Sequence, residues 1–172
     1  MVQLNELLGK RSLITLLELM AENSGTEFTF TELWKKTKLS KATLAKYLQF
    51  LTKNEFIEIK KAGSIKLYKY AKENIINKHF KILRSLFALQ PLKQIAQKHN
   101  TDIYLYGSTA RGENTEKSDI DLLVIGEDIT KEIKTALGKE VKTTTYTPLE
   151  WSEMSKKDKP FYERVEKDKI KL

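Results

Sequence analysis

The order of apolar and polar positions divides the chain into three stretches with different periods. From Lys10 to Glu22, Leu13, Ile14, Leu16, Leu17 and Met20 recur at helical spacing, and Asn23-Ser24-Gly25 ends the run. Thr29-Phe30-Thr31-Glu32 has the form of a capping box, which predicts a second, short helix ending near Thr37. Trp34 is expected in the core on that helix, beside Leu33 and Phe30. Ser40 is placed to cap a third helix to about Lys53, with Leu44, Leu48 and Leu51 inward and Lys41, Thr43 and Lys46 outward. Beyond Asn54 the period drops to two. Residues 56–60 and 65–70 alternate as strands around a tight turn at Ala62-Gly63-Ser64.

The second stretch is helical again from Glu73 to Leu89, with Ile75, Ile76, Phe80, Leu83 and Phe87 on an apolar stripe. Gln90-Pro91 breaks it, and a short helix follows from Leu92 to Lys98. The third stretch opens with a strand, 103–106, running into Gly107-Ser108. A polar loop leads to a second strand, 119–125, then a helix from after Asp128 to Ala136 capped by Gly138, and a strand over 140–146. Thr147-Pro148-Leu149-Glu150 starts another helix, with Trp151 packing it onto the sheet. Residues 160–167 form a last helix with Phe161 and Val165 inward, and 170–172 a final short strand. The expected organisation is a first domain over 1–72, a helical connector over 73–100 and a second domain over 101–172.

Charge sharpens this division. The net charge is +8, and the whole excess falls in residues 1–90, while 91–172 balance. An anionic partner is therefore expected for the first domain only. Cysteine is absent, which removes disulfides, thiolate zinc sites and thiol chemistry and fits a cytoplasmic protein. No apolar window is long enough to span a bilayer and no export signal is apparent, so no membrane role is expected. His79 and His99 have no partners at metal-ligand or triad spacing.

Three helices followed by a lysine-rich hairpin form a specific layout. The stretch TFTELWKKTKLSKATLAKYLQFLTKNEFIEI, within Leu7 to Tyr70, resembles the winged helix-turn-helix domains of prokaryotic transcription regulators. The resemblance implies DNA binding. Lys41, Thr43 and Lys46 on the third helix would face the major groove, and Lys60, Lys61, Lys66 and Lys69 on the wing would neutralise phosphates. No arginine lies on that helix, so bidentate guanine readout is not evident. The stripe over 74–89 raises the hypothesis of a homodimer, since two half-sites multiply affinity.

The chemistry of the second domain rests on a few residues. Gly107 lets backbone approach a phosphate with no Cβ in the way, Ser108 adds a hydroxyl, and Arg111 can pair with phosphate oxygens. Ser118 completes the candidate nucleotide contacts. Asp119 and Asp121 are two apart on an expected strand, which puts both carboxylates on one face, with Ile120, Leu122 and Val124 on the other. Two carboxylates on one face repel unless a cation lies between them, and Mg2+ (or Mn2+) bridging to a triphosphate answers that need.

The stretch LYGSTARGENTEKSDIDLLVIG, a Gly-Ser followed after ten residues by Asp-x-Asp, closely resembles the minimal nucleotidyltransferases of the DNA polymerase beta superfamily. The resemblance implies an α/β domain with a mixed sheet that takes an NTP, ATP in first place, with a divalent metal. It also implies a third carboxylate on the next strand. That position falls near Lys142, which cannot ligate Mg2+; Glu140, two residues away on the same face, is either a substitute third catalytic acid beside Asp119 and Asp121 or a surface residue. The fold class expected is α+β, a winged helix-turn-helix followed by a nucleotidyltransferase-type domain. Two functions stay open. One is a DNA-binding transcription regulator whose second domain binds NTP and Mg2+ or a partner protein. The other is an active Mg-dependent transferase passing AMP to a protein or small molecule, as antitoxin-like relatives of the superfamily do.

Overall fold

The computed structural model describes residues 9–138 and 141–172, in two compact units that meet in sequence at Asn77/Lys78. In the first unit, α1 (Arg11–Glu22), β1 (Glu27–Thr29), α2 (Phe30–Thr37), α3 (Lys41–Lys53), β2 (Ile57–Ala62) and β3 (Ile65–Tyr70) follow in that order. The strands form an antiparallel sheet ordered β1-β3-β2. Helices against a three-stranded antiparallel sheet, with a two-residue hairpin at Gly63-Ser64, make a winged helix-turn-helix.

The local signals explain most of these boundaries. The Thr29 hydroxyl accepts from the Glu32 amide while the Glu32 carboxylate accepts from the Thr29 amide, so the capping box closes in both directions. Ser40 caps α3 through the Thr43 amide. Leu44, Leu48 and Leu51 are buried as their spacing requires, as are Leu13, Leu16, Leu17, Met20 and Leu33.

Two features differ from the sequence expectation. Strand β1 has only three residues, too few to show alternation, and it inserts the buried Phe28 ahead of α2. Trp34 does not enter the core; it is 36% exposed, with the Lys41 ammonium 4.7 Å from its ring centroid. Leu33 and Trp34 are neighbours about 100° apart around a helix, so burying one turns the other outward.

The unit ends on a polar lock. The Asn77 side-chain amide donates to the Phe56 and Ala71 carbonyls, each at 2.8 Å, and the Tyr70 hydroxyl donates to the Asn77 carbonyl at 3.0 Å. Asn77 lies on α4 (Ile75–Leu89), whose start is capped by the Asn74 side chain and which runs on into the second unit.

In the second unit, α5 (Leu92–Lys98) precedes β4 (Asp102–Tyr106), α6 (Gly107–Ala110), β5 (Asp121–Ile125), α7 (Thr130–Leu137) and β6 (Lys142–Tyr146). Then come α8 (Pro148–Lys157), α9 (Lys159–Asp168) and β7 (Ile170–Lys171). The sheet order is β6-β5-β4-β7, with β5 and β6 parallel and the other pairs antiparallel, so it is mixed as expected. Both faces are covered. One carries Ile103, Leu105, Leu122 and Val124 against Ile129 and Ile133, and also against Leu89, Leu92 and Ala96. Residues that the hydrophobic pattern assigns to a connector are therefore part of this core. The other face carries Tyr106 and Leu123 under Trp151, Phe161 and Val165 of α8 and α9.

Strand β5 begins at Asp121, later than the pattern predicts, so Asp119 and Ile120 lie before it. Among the described residues no helix is long and apolar enough to cross a membrane. The capping box at Thr147 is complete, with the Glu150 amide on the threonine oxygen at 3.2 Å and the Thr147 amide on the Glu150 carboxylate at 2.8 Å. Substituting Thr147→Ala is expected to cost about 1 kcal/mol, and Thr147→Ser much less, in equilibrium urea denaturation.

Candidate functional site

Strand β4 ends at Tyr106, and the chain turns at once through Gly107 at φ +73° into α6. That left-handed conformation suits glycine, but the space around it is the stronger constraint. A Cβ on Gly107 would stand 2.7 Å from Oδ2 of Asp121. The carboxylate thus occupies the volume that every other residue type would fill. The antiparallel register sets this up, because Tyr106 pairs directly with Asp121. The serine turn and the second aspartate converge.

On its other side Asp121 is opposite Lys142, its in-register partner on the parallel strand β6. Alternation puts both side chains on the same face. Val141 is buried in the core of the opposite face, whereas Thr144 lies 3.4 Å from the Tyr106 hydroxyl and Tyr146 packs on Trp151. A row Tyr106–Asp121–Lys142 therefore crosses the sheet at the end where the Gly107 turn begins. Asp119 is exposed just ahead of β5, and its carbonyl accepts from the Thr109 hydroxyl at 3.4 Å, which ties the Asp-x-Asp segment to α6.

Electrostatics agree with this placement. Burial raises the Asp121 pKa above the usual carboxylate range; Lys142 opposes the shift, Asp119 adds to it, and Arg111 and Arg164 oppose it again. The ionised form is thus held at a cost that a nearby cation would relieve. Arg164 was not singled out by the sequence. It comes from α9, over the Phe161 ring at 5.6 Å. Only the tertiary packing of α9, which sets Phe161 edge-on to Tyr106, carries that residue to the site.

The remaining candidates are placed differently. Arg111 caps α6 and is held by carboxylates, with Nε 2.8 Å from Glu113 and Nη1 2.6 Å from Asp168. The Glu113 bond, then the Asp168 bond, pushes its pKa further up. Ser118 accepts from the Thr115 amide at 2.9 Å and so braces the loop ahead of Asp119. Glu140 lies outside the described residues. The turn closes against α4: a Cβ on Gly112, at φ +68°, would run into the Lys78 carbonyl, and the Lys81 ammonium donates to the Asn114 carbonyl.

The donor set decides what metal could be held. Among the described residues no three Asp, Glu, His or Cys side chains converge as a metal group. Asp119 and Asp121 supply two hard oxygen donors. That fits Mg2+ carried mostly by water and a triphosphate, and does not fit an ion caged by protein alone.

In the first unit, Lys41 and Lys46 are exposed on α3, and Thr43 is half-buried at the start of that helix. The wing lysines divide between the two sheet faces. Lys61 and Lys66 are cross-strand partners on the face that carries Ile59 and Tyr68, toward α3. Lys60 and Lys69 lie on the opposite face and flank Glu27, at 3.3 and 4.0 Å. Between α3 and the wing runs a groove of about 660 Å³, lined by Gln49, Lys53, Ile59, Lys66 and Tyr68.

Residues 88–172 match the nucleotidyltransferase domain family, so the C-terminal region carries a nucleotidyltransferase domain. No curated protein matches the chain. Two solved structures are similar to it over 55% of its length. One is a homodimeric winged helix-turn-helix DNA-binding domain from Mycobacterium bovis, at 21% identity and a TM-score of 0.35 over 76% of that chain. The other is assigned as a nucleotidyltransferase from Sulfolobus solfataricus, at 20% identity and a TM-score of 0.33 over 85% of that chain.

Gly107→Ala combines left-handed strain with the Asp121 contact and is expected to cost about 2 kcal/mol or more. In an Asp121→Ala background the same change should cost only about 1 kcal/mol, the strain alone. A double-mutant cycle in urea measures the difference. Because folding raises the Asp121 pKa, the ionised carboxylate opposes folding. That opposition is complete at neutral pH and vanishes below the unfolded value near ~4. Asp121→Asn should therefore raise the thermal midpoint at pH 7 by on the order of 1–3 °C. The gain should shrink as the pH falls toward about 4, as scanning calorimetry can follow.

Proposed function

We propose that this chain is a DNA-binding regulator whose nucleotidyltransferase domain holds a nucleoside triphosphate, ATP in first place, as its Mg2+ complex. The observation that carries the reading is the convergence of the Gly107-Ser108 turn with Asp121. A glycine without a Cβ and a carboxylate share one small volume at the end of the sheet. Phosphates approach along the turn, where the Ser108 hydroxyl is a donor, while the space a Gly107 side chain would take is filled by Asp121. Asp119 and Asp121 would be the two carboxylates on a cation that arrives with the nucleotide. Arg111 and Ser118 shape the turn and loop, the former through Glu113 and Asp168.

Binding without turnover is favoured over AMP transfer by one observation: the strand neighbour of Asp121 is Lys142. A lysine there adds no carboxylate to the two aspartates on a metal ion. The DNA surface is assigned to Lys41, Thr43 and Lys46 of α3 with Lys61 and Lys66 of the wing, which share the α3 side of the hairpin. Lys60 and Lys69, turned toward Glu27, are assigned a lesser part. The exposed Leu83 and Phe87 of α4 are assigned to contact with a second copy of the chain.

Four lysines on phosphates imply a loss of roughly 10²-fold in DNA affinity between ~50 and ~200 mM salt. Lys41→Glu/Lys46→Glu should weaken binding further and flatten that slope in fluorescence anisotropy. Insensitivity to salt, or no binding at low salt, would remove the DNA reading. For the second domain, ATP binding by calorimetry should be lost in Gly107→Val. Aspartate-dependent transfer of label from ATP to a protein or small molecule would replace the binding reading with the enzymatic one.

A further inference from the structure

Asp121 and Lys142 are register partners at one end of the sheet, and the charges of Asp119, just ahead of β5, and of Arg164 on α9 also act on Asp121. Among the described residues, Asp119, Asp121, Lys142 and Arg164 take part in no ion pair within 4.0 Å, although ion pairs are frequent elsewhere in this unit. Arg111, by contrast, is committed to Glu113 and Asp168. Two anionic and two cationic groups therefore stand ready for a ligand of mixed demand.

The backbone fixes the position of the Lys142 Cα and the face from which its side chain leaves. In-register partners on neighbouring strands stand about 5 Å apart and project in parallel. Asp121 cannot retreat in the opposite direction, because its carboxylate already fills the space over Gly107. A divalent ion seated at Asp121 would thus share one face and one end of the sheet with the exposed Lys142 side chain of the edge strand β6, whose charge opposes it. Two carboxylates against two cations leave no net negative charge to attract a free ion. The same two cations favour phosphate oxygens.

We propose that Lys142, the in-register partner of Asp121 on β6, supplies the positive charge that a protein-held metal ion would otherwise supply, so that the site takes up no divalent cation alone and binds nucleoside triphosphate whether or not the nucleotide carries its own ion. The proposal rests on the nucleotide reading given above and adds to it the order of events. The nucleotide binds first or brings its own ion, and chelation leaves binding in place. Lys142 is a positioning residue for phosphate and carries no step of group transfer.

The test uses the full chain with ATP, measured by calorimetry in EDTA and in Mg2+ at matched ionic strength, and Mn2+ alone, measured by the loss of its free electron-spin-resonance signal. In the native protein the two ATP affinities should agree within about fivefold, and Mn2+ at about 1 mM should stay free. Lys142→Glu should weaken ATP binding in EDTA by tenfold or more, recover it with Mg2+, and take up Mn2+ without nucleotide. Lys142→Met should weaken ATP binding in EDTA without gaining Mn2+ uptake, and serves if the glutamate variant does not fold. ATP binding that requires metal in the native protein, Mn2+ uptake by the native protein alone, or indifference to both substitutions would overturn the proposal while leaving the nucleotide site standing. Absence of ATP binding in both buffers would overturn the nucleotide reading itself, and this proposal with it.

Discussion

A carboxylate that has lost part of its water needs a reason to stay where it is, and Asp121 is held by backbone. Its strand pairs with β4 so that Tyr106 is its direct partner, and the residue after Tyr106 is a glycine whose missing side chain makes the room. Burial shifts the carboxyl toward its neutral form, and the three cations around it, Lys142, Arg111 and Arg164, only oppose that shift. The core beneath enforces the arrangement. Leu122 and Leu123 are fully buried on opposite faces, so β5 cannot rotate or slip by one residue without exposing one of them. The site's geometry is therefore a consequence of packing on both faces of a four-stranded sheet.

That packing also explains which parts could be read from the chain. The helices of the first unit were legible because each carries a local signal. Thr29 and Ser40 close their caps within three residues, and Leu44, Leu48 and Leu51 keep one face. The Gly-Ser turn and Asp-x-Asp pair were legible for a similar reason: residue type and spacing alone place them at the ends of two strands. Strand β1 was not, because three residues carry no period. Trp34 follows Leu33 by about 100° around the helix, so the rotation that buries Leu33 leaves Trp34 outside the core. Strand β5 starts two residues after its pattern does, since Ile120 packs like a strand residue and its carbonyl accepts from the Lys142 amide, although it precedes the strand.

The residues that sequence could not supply are those brought in by tertiary contact. Arg164 is more than forty residues from Asp121 in the chain and reaches it only because α9 lies on the Tyr106–Leu123 face. Asp168 holds Arg111 for the same reason. The division of the wing lysines is another example. A hairpin alternates faces, so four lysines that look like one basic strip in the sequence become two pairs, and one pair is drawn to Glu27 on a strand the pattern does not reveal.

Lys142 joins these two kinds of information. The sequence shows only that a lysine stands where a third acid is expected. The register gives that lysine a consequence, because a parallel partner on the same face must share the electrostatic surroundings of Asp121. An acid there would deepen a negative well and require a metal to fill it; an ammonium flattens the well. The glycine turn, the strand pairing and the two aspartates can thus stay in place while one side chain on β6 changes what the corner attracts. One side chain at a position set by backbone is enough to shift the balance from cation toward phosphate.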